Sequence, residues 1–212
     1  MKKRLLKILC FFILCIFILY IIYSIIKFFK LNSIQNSNLR LQTEKNYSFT
    51  IESYDENNKE SIEVIKCFYK DGKSKKITYK DGKENLIEWQ DTTTNENIIV
   101  RPTASKASTG TSKIELVNIP RLEKIGLLNS FITSLSSTNL EGINCYIINS
   151  RNNTIYIEKD NGFILQRKGA NIITDKNQSN RIINFKDLKF DFVSEEDVSK
   201  PDLTGYQIDN IV

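Results

Sequence analysis

The residues of this chain that are reactive in kind are two cysteines, Cys67 and Cys145, and the Ser/Thr/Lys tract TASKASTGTS at positions 103–112. Two thiols in an oxidising compartment can pair in one way only, while two thiols that never meet are small buried side chains. The sequence leaves both readings open. The tract lacks the S-x-x-K spacing of acylating serine enzymes, so nothing in it activates a nucleophile. Asp55, Asn57 and Lys59 have the alternation of a calcium loop, but lysine stands where a ligand belongs and no glycine holds the sixth position. Glu195 with Glu196, and Asp187 with Asp191, are carboxylate pairs among solvated neighbours, a poor setting for a general acid and base. The 212 residues include no histidine, which removes Ser-His, Cys-His and His-metal arrangements together. Signatures for structural zinc, dinucleotides and nucleotide triphosphates are missing as well. No catalytic residue, no metal and no cofactor are expected, and the chain reads as a non-enzyme. The N-x-[ST] sequons at Asn46, Asn152 and Asn177 occur in an Asn-rich chain, where chance produces them.

The element that must position everything else is the run Ile8–Ile26, ILCFFILCIFILYIIYSII, which contains no charge. A hydrocarbon core of about 30 Å needs roughly 20 apolar residues in a helix, and only a helix or closed barrel satisfies its own backbone there. Lys2, Lys3, Arg4 and Lys7 crowd its N-terminal side, so the N-terminus is expected in the cytoplasm and the rest outside, at the cell membrane. A cleaved signal would have a shorter apolar region and a small-residue cleavage site; no alanine precedes Ala104, so an uncleaved anchor is expected. Cys10 and Cys15 each follow leucine, where a lipidated cysteine would follow a small residue, and both read as apolar side chains of the span. The organisation expected is a cytoplasmic tail at 1–7, a transmembrane helix at 8–26, a juxtamembrane linker at 27–45 and an extracytoplasmic β domain at 46–212.

Charge agrees with one membrane partner and no nucleic acid. Of 30 Lys and Arg, six flank the apolar run, and the other 24 stand against 25 Asp and Glu. The body is neutral, with its charges interleaved.

Beyond the linker the apolar period becomes two. Tyr47, Phe49 and Ile51 alternate with polar residues, as in a strand with one buried face. SIEVIKCFYK slips phase between Val64 and Ile65, where a bulge is expected. Asp71-Gly72, Asp81-Gly82 and Asp160-Asn161-Gly162 predict primed hairpin turns. Residues 103–112 are expected as a mobile surface loop. A helix is expected from Pro120, with Leu122, Ile125, Leu128, Ile132 and Leu135 on one face. Strands follow around Ile143–Ile147, Ile155–Ile157, Phe163–Leu165 and Leu188–Phe192, and Ser194 with Asp197 predicts a capped turn before an irregular tail. The fold class is α+β: a single transmembrane helix, then a curved antiparallel sheet, an unclosed half-barrel, with a helix packed on its concave face.

Residues 46–206 resemble the outer-membrane lipoprotein carrier, or LolA-like, superfamily. The likeness rests on the opening strand NYSFTIES, the meander VIKCFYKDGKSKKITYKDGKENLIEWQD, the mid-chain helix, the element TIYIEKDNGFILQRK and the ending FKDLKFDFVSEEDVSKPDLTGY. It implies an unclosed barrel whose concave apolar side, lidded by helices, holds acyl chains or partner peptides. On that resemblance the domain is expected to bind an acyl chain, lipid or lipid-modified peptide among Phe49, Ile51, Trp89, Val100, Leu128, Ile132, Leu165 and Phe190, in lipoprotein handling or envelope sensing. An anchored chain departs from a diffusing carrier. Heavy use of Ile, Lys and Asn points to an A+T-rich bacterial genome. The alternative is a structural subunit of a conjugation or secretion complex of the same topology; a type IV pilin is disfavoured, because the leader's Gly-Phe junction and fifth-position glutamate are missing.

Overall fold

The computed structural model describes residues 2–56, 58–112, 116–150, 153–169 and 181–210. Asn57 of the calcium-like triad and the sequon residues Asn152 and Asn177 lie outside the described residues. Helix α1 spans Lys2–Leu41, about 60 Å at 1.5 Å per residue. Its apolar first half is exposed, and among the described residues it is the one helix long and apolar enough to cross a membrane. Its second half is different. Ser24, Lys27, Leu31, Ile34, Asn38 and Leu41 are all buried, and their steps of three and four put them on one stripe. Residues 31–41, expected as part of a linker, are therefore helix and core, because that stripe buries leucine and isoleucine against the sheet.

The strands are β1 (Asn46–Asp55), β2 (Asn58–Lys70), β3 (Lys73–Lys80), β4 (Lys83–Asp91), β5 (Glu96–Arg101) and β6 (Lys106–Thr111); helix α2 (Leu127–Ile132) precedes β7 (Ser134–Leu140), β8 (Ile143–Ser150), β9 (Asn153–Glu158), β10 (Ile164–Gly169), β11 (Arg181–Phe190) and β12 (Gln207–Asn210). They form one sheet in the order β12-β6-β5-β4-β3-β2-β1-β11-β10-β9-β8-β7. Only β12 with β6 is parallel, and the outer strands β12 and β7 do not pair. The sheet is unclosed and almost wholly antiparallel, the class read from the sequence.

Register explains how one face stays apolar. Tyr47, Phe49 and Ile51 of β1 lie opposite Tyr69, Cys67 and Ile65 of β2, and all six belong to or pack on the main core. On β11, Ile183 and Phe185 are in one phase and Leu188 and Phe190 in the other, yet all four join that core. The β1–β11 register shifts between Ser48 and Thr50, and Asp187 in the slack takes a left-handed φ of 55°. A bulge there adds one residue and returns the apolar side chains to the same face. The bulge expected at Val64/Ile65 does not form; β2 passes those residues in unbroken register with both neighbours.

Asp71-Gly72 and Asp81-Gly82 have positive φ at both positions, as primed turns require. At 160–162 only Gly162 does; Asn161 instead accepts the Phe163 N–H at 2.7 Å, an Asx turn. Residues 103–112 are not a mobile loop: a 3-10 turn at Pro102–Ala104 leads into β6, whose Ala107 is fully buried. The tail opens on the expected cap, with the Ser194 N–H and hydroxyl both donating to Asp197, and ends in β12.

The helix expected from Pro120 to Leu135 shrinks to α2, and Leu135 lies in β7. Residues 116–126 cross the sheet as an extended strap. The reason is competition for backbone groups. Gln42 donates to the Ile119 carbonyl (3.0 Å), Asn38 donates to the Pro120 carbonyl (3.0 Å), and the Leu122 N–H donates to Asn38 Oδ1 (2.7 Å). Tyr47 donates to the Val117 carbonyl (3.1 Å), and Gln90 Oε1 accepts from the Leu116 N–H (2.8 Å). With those groups spoken for by side chains, a helix there would gain little, and its apolar residues Val117, Ile119 and Leu122 enter the core as a strap.

Candidate functional site

The inner face of the half-barrel is largely filled by the chain itself. Leu31, Ile34 and Leu41 of α1 and Val117, Ile119 and Leu122 of the strap pack on Phe49, Cys67, Ile157, Phe163 and Phe185. Asn38, fully buried, holds this arrangement: besides its bonds to the strap it donates to the Gly162 carbonyl at 3.0 Å. A Cβ on Gly162 would stand 2.7 Å from the Asn38 nitrogen, so helix and turn meet at van der Waals limit.

Following the register outward, the inner residues Cys67 and Tyr69 face Lys76 and Ser74, which in turn face Glu88 and Gln90. Trp89 and Val100 are therefore on the opposite face, in a second cluster with Ile98 and Ala107 that the C-terminal tail covers. Trp89 Nε1 donates to the Val198 carbonyl at 2.8 Å. The inner face beside β2 is polar, with Lys76 and Glu88 paired at 2.8 Å.

Among the described residues two hollows of ligand size lie near the main core. The first, about 380 Å³, lies between the strap, α2 and β8–β10; the second, about 450 Å³, lies between the β7–β8 turn and β10–β11. Both are within the roughly 300–1,000 Å³ of ordinary ligand pockets. The eight residues expected to line one site are thus dispersed. Ile132 lines the first hollow, and Leu165 and Phe190 line the second. Phe49 is core and Ile51 packs on it, Trp89 and Val100 are on the other face, and Leu128 projects from α2 with 83% of its surface exposed.

The first hollow has the more unusual chemistry. Leu122, Ile125, Ile132, Ile148 and Ile155 give it an apolar lining, into which the register also brings Arg167, opposite Ile155 on one side and Ile183 on the other. Arg167 donates to the Arg121 carbonyl at 2.5 Å, while its Nε is buried with no hydrogen-bond partner. Among the described residues no carboxylate lies within ion-pair distance of it. Burial pulls the guanidinium below its usual pKa, and the charge of Glu123 opposes that shift. Glu123, Lys124 and Lys168 complete the hollow's charged lining. In the second hollow Lys186 pairs with Glu52 at 2.7 Å and Glu158 accepts from Asn161 at 2.8 Å, and its other charged residues, Glu141 and Asp187, are acidic, so among the described residues it offers no free cation. Arg167 was legible in sequence, since it continues the alternation of Phe163 and Leu165; a charged residue in an apolar phase was the signal.

Cys67 and Cys145 are both buried free thiols. Five strand spacings separate β2 from β8 in the sheet, about 24 Å along it at 4.8 Å each, against the 7 Å limit for bridged Cα atoms. The pairing left open by the sequence is not made. Burial raises the Cys67 pKa to about 12, so the thiol stays protonated and unreactive. Among the described residues no group of three or more His, Cys, Asp or Glu could hold a metal.

No family model and no curated protein matches the sequence. Solved structures similar to the chain include MucB in complex with MucA(peri), at 10% identity and TM-score 0.45 over 83% of this chain and 61% of that one. The Pseudomonas aeruginosa MucA/MucB complex gives 10% identity and TM-score 0.44 over 87% and 64%. The chain therefore spans less than two thirds of the MucB chains it is similar to. A LolA superfamily protein, NE2245 from Nitrosomonas europaea, gives 8% identity and TM-score 0.35 over 80% of this chain and 97% of that one, the superfamily that residues 46–206 resemble in sequence pattern.

Proposed function

We propose that this chain is a single-pass membrane protein, N-terminus cytoplasmic, whose extracytoplasmic β domain binds an amphiphile in the hollow between strap, α2 and β8–β10. The observation that carries this reading is Arg167, a cation facing an apolar hollow with Nε unpartnered. A buried N–H without a partner is costly, and an amphiphile supplies an anionic end for the half-buried guanidinium and Lys168, and an apolar chain for Ile125, Ile132, Ile148 and Ile155. Guanidinium suits carboxylate and phosphate alike. The exposed apolar half of α1 and its basic flank support the anchor. The continuous helix from that half into the core supports a receiver fixed at the bilayer, and argues against a carrier that leaves it.

Native mass spectrometry of the full chain, extracted in mild detergent from membranes rich in phosphatidylglycerol, tests the reading. The expected result is an adduct of anionic lipid mass on the wild-type protein, reduced at least tenfold by Arg167→Gln and by Ile155→Trp, which fills the hollow. Wild-type protein free of adduct, or equal adduct on all three, refutes it.

A further inference from the structure

Helix α2 presents its apolar side chains outward. Leu128 is 83% exposed, Ile132 58% and Leu127 47%, half of a six-residue helix. Its place along α1 is fixed by Tyr20, whose hydroxyl donates to the Phe131 carbonyl at 3.1 Å and whose ring lies 6.0 Å from the Phe131 ring. Tyr20 lies inside the uncharged run of α1, seven residues before Lys27, about 10 Å along the axis. Small residues accompany the contact: Ser24 of α1 and Ser130 of α2 are both fully buried. From Ile125 to Leu140 the chain carries no charged residue, although a quarter of the whole sequence is charged. A water-facing lobe has no need of such a stretch; a lobe beside a spanning helix does, because charge is expelled from hydrocarbon.

We infer that α2 seats in the bilayer leaflet nearest the β domain, with Leu127 and Leu128 among acyl chains and Ile132 at the mouth of the adjoining hollow, which opens onto lipid. The inference rests on the reading of α1 as the span. Continuity argues for lipid over a protein partner: the apolar surface of α1 around Tyr20 and that of α2 are joined by a direct contact. A guest would then enter sideways from the leaflet, its charged end meeting Lys124, Lys168 and Arg167 at the head-group level.

The test uses the full chain in phosphatidylcholine/phosphatidylglycerol nanodiscs, with Cys10→Ala and Cys15→Ala so that only an added cysteine is labelled while Cys67 and Cys145 stay buried. An environment-sensitive fluorophore is placed at Leu128→Cys, with Leu14→Cys as the lipid reference. Phe192→Cys is the water reference: Phe192 is exposed and follows Asp191, which is bonded to Asn46 beyond the far end of α1. Lipids carrying nitroxide on the acyl chain should quench the Leu128 probe at least half as strongly as the Leu14 probe and leave the Phe192 probe unchanged. A Leu128 probe as unquenched as that at Phe192, with Leu14 quenched, overturns the seating of α2 and leaves the anchor intact. An unquenched Leu14 probe overturns both. Adding Arg167→Gln should not change the quenching at Leu128; its loss there would make seating a consequence of ligand capture and overturn the inference as stated.

Discussion

Replacing Asn38 with alanine tests whether the end of α1 is part of the domain or a tether to it. The side chain is fully buried and makes three bonds: to the Pro120 and Gly162 carbonyls, each at 3.0 Å, and from the Leu122 N–H at 2.7 Å. Truncation leaves all three backbone groups without that partner. The two in fully buried bonds, the Gly162 carbonyl and the Leu122 N–H, each cost about 1–3 kcal/mol if no water reaches them, or roughly 2–6 kcal/mol together. For a domain stable by about 5–15 kcal/mol that is a large fraction. Urea unfolding of the full chain in mild detergent, followed by circular dichroism, should show the midpoint falling by a corresponding amount. Cys67 offers a local readout, because its thiol lies in the same core and its pKa of about 12 leaves about one in ten thousand as thiolate at pH 8. Alkylation of Cys67, slow in the parent protein, should accelerate as α1 lifts from the sheet. Asn38→Asp goes further: it removes both donors and sets a carboxylate beside two carbonyl oxygens. That raises the folded-state pKa above the unfolded one, so the variant is least destabilised at low pH and loses stability as pH climbs past about 4, by up to 1.4 kcal/mol per unit. A change below about 0.5 kcal/mol for Asn38→Ala, with Cys67 still silent, would mean that residues 31–41 are a linker after all.

Gly162→Ala should cost about 2–4 kcal/mol in the same urea assay, from a left-handed φ of 82° together with a Cβ 2.7 Å from the Asn38 nitrogen. Gly82→Ala, with a φ of 73° and open space around it, should cost only about 1–2 kcal/mol, and equal losses would refute the tight helix–turn contact. Asp197 is held below its usual pKa by the Ser194 N–H first and the Ser194 hydroxyl second. Its cap therefore stabilises the fold above the unfolded value of about 3.9 and is lost as pH falls through the lower folded value. Asp197→Asn should be less stable than the parent by a few tenths of a kcal/mol, at most about 1 kcal/mol, at pH 7 because the group is largely exposed, and the two unfolding curves should converge in acid.

Much of the sheet was legible because its strands obey the simplest rule available, alternation against one buried face. Tyr47, Phe49 and Ile51 announce β1, and Asp-Gly at 71–72 and 81–82 announces the turns that fix the register of β2, β3 and β4. What escaped the sequence has a common physical origin, which is polar residues in places that only tertiary structure makes buried. The stripe Ser24, Lys27, Leu31, Ile34, Asn38, Leu41 has helical spacing, but three of its six members are polar, so it does not read as an apolar face. Asn38 is also the reason the strap is not a helix, since it takes the Pro120 carbonyl and the Leu122 N–H that a helix would use itself. One side chain thus conceals two elements from pattern reading, the core half of α1 and the extended course of residues 116–126.

Eight large apolar residues were expected to surround a guest, and most are spent on packing, either in the main core or, like Trp89 and Val100, on the far face. Apolar side chains alone cannot mark a binding site in a sheet that must bury them anyway. A charge in an apolar phase can, because folding offers it no return for its desolvation. In β10 that residue is Arg167, and its hollow adjoins α2, whose Leu127 and Leu128 face outward. If the site serves an amphiphile, its cation and the exposed apolar lip of α2 are two halves of one requirement, the first set by the guest's head and the second by the bilayer from which the guest must come.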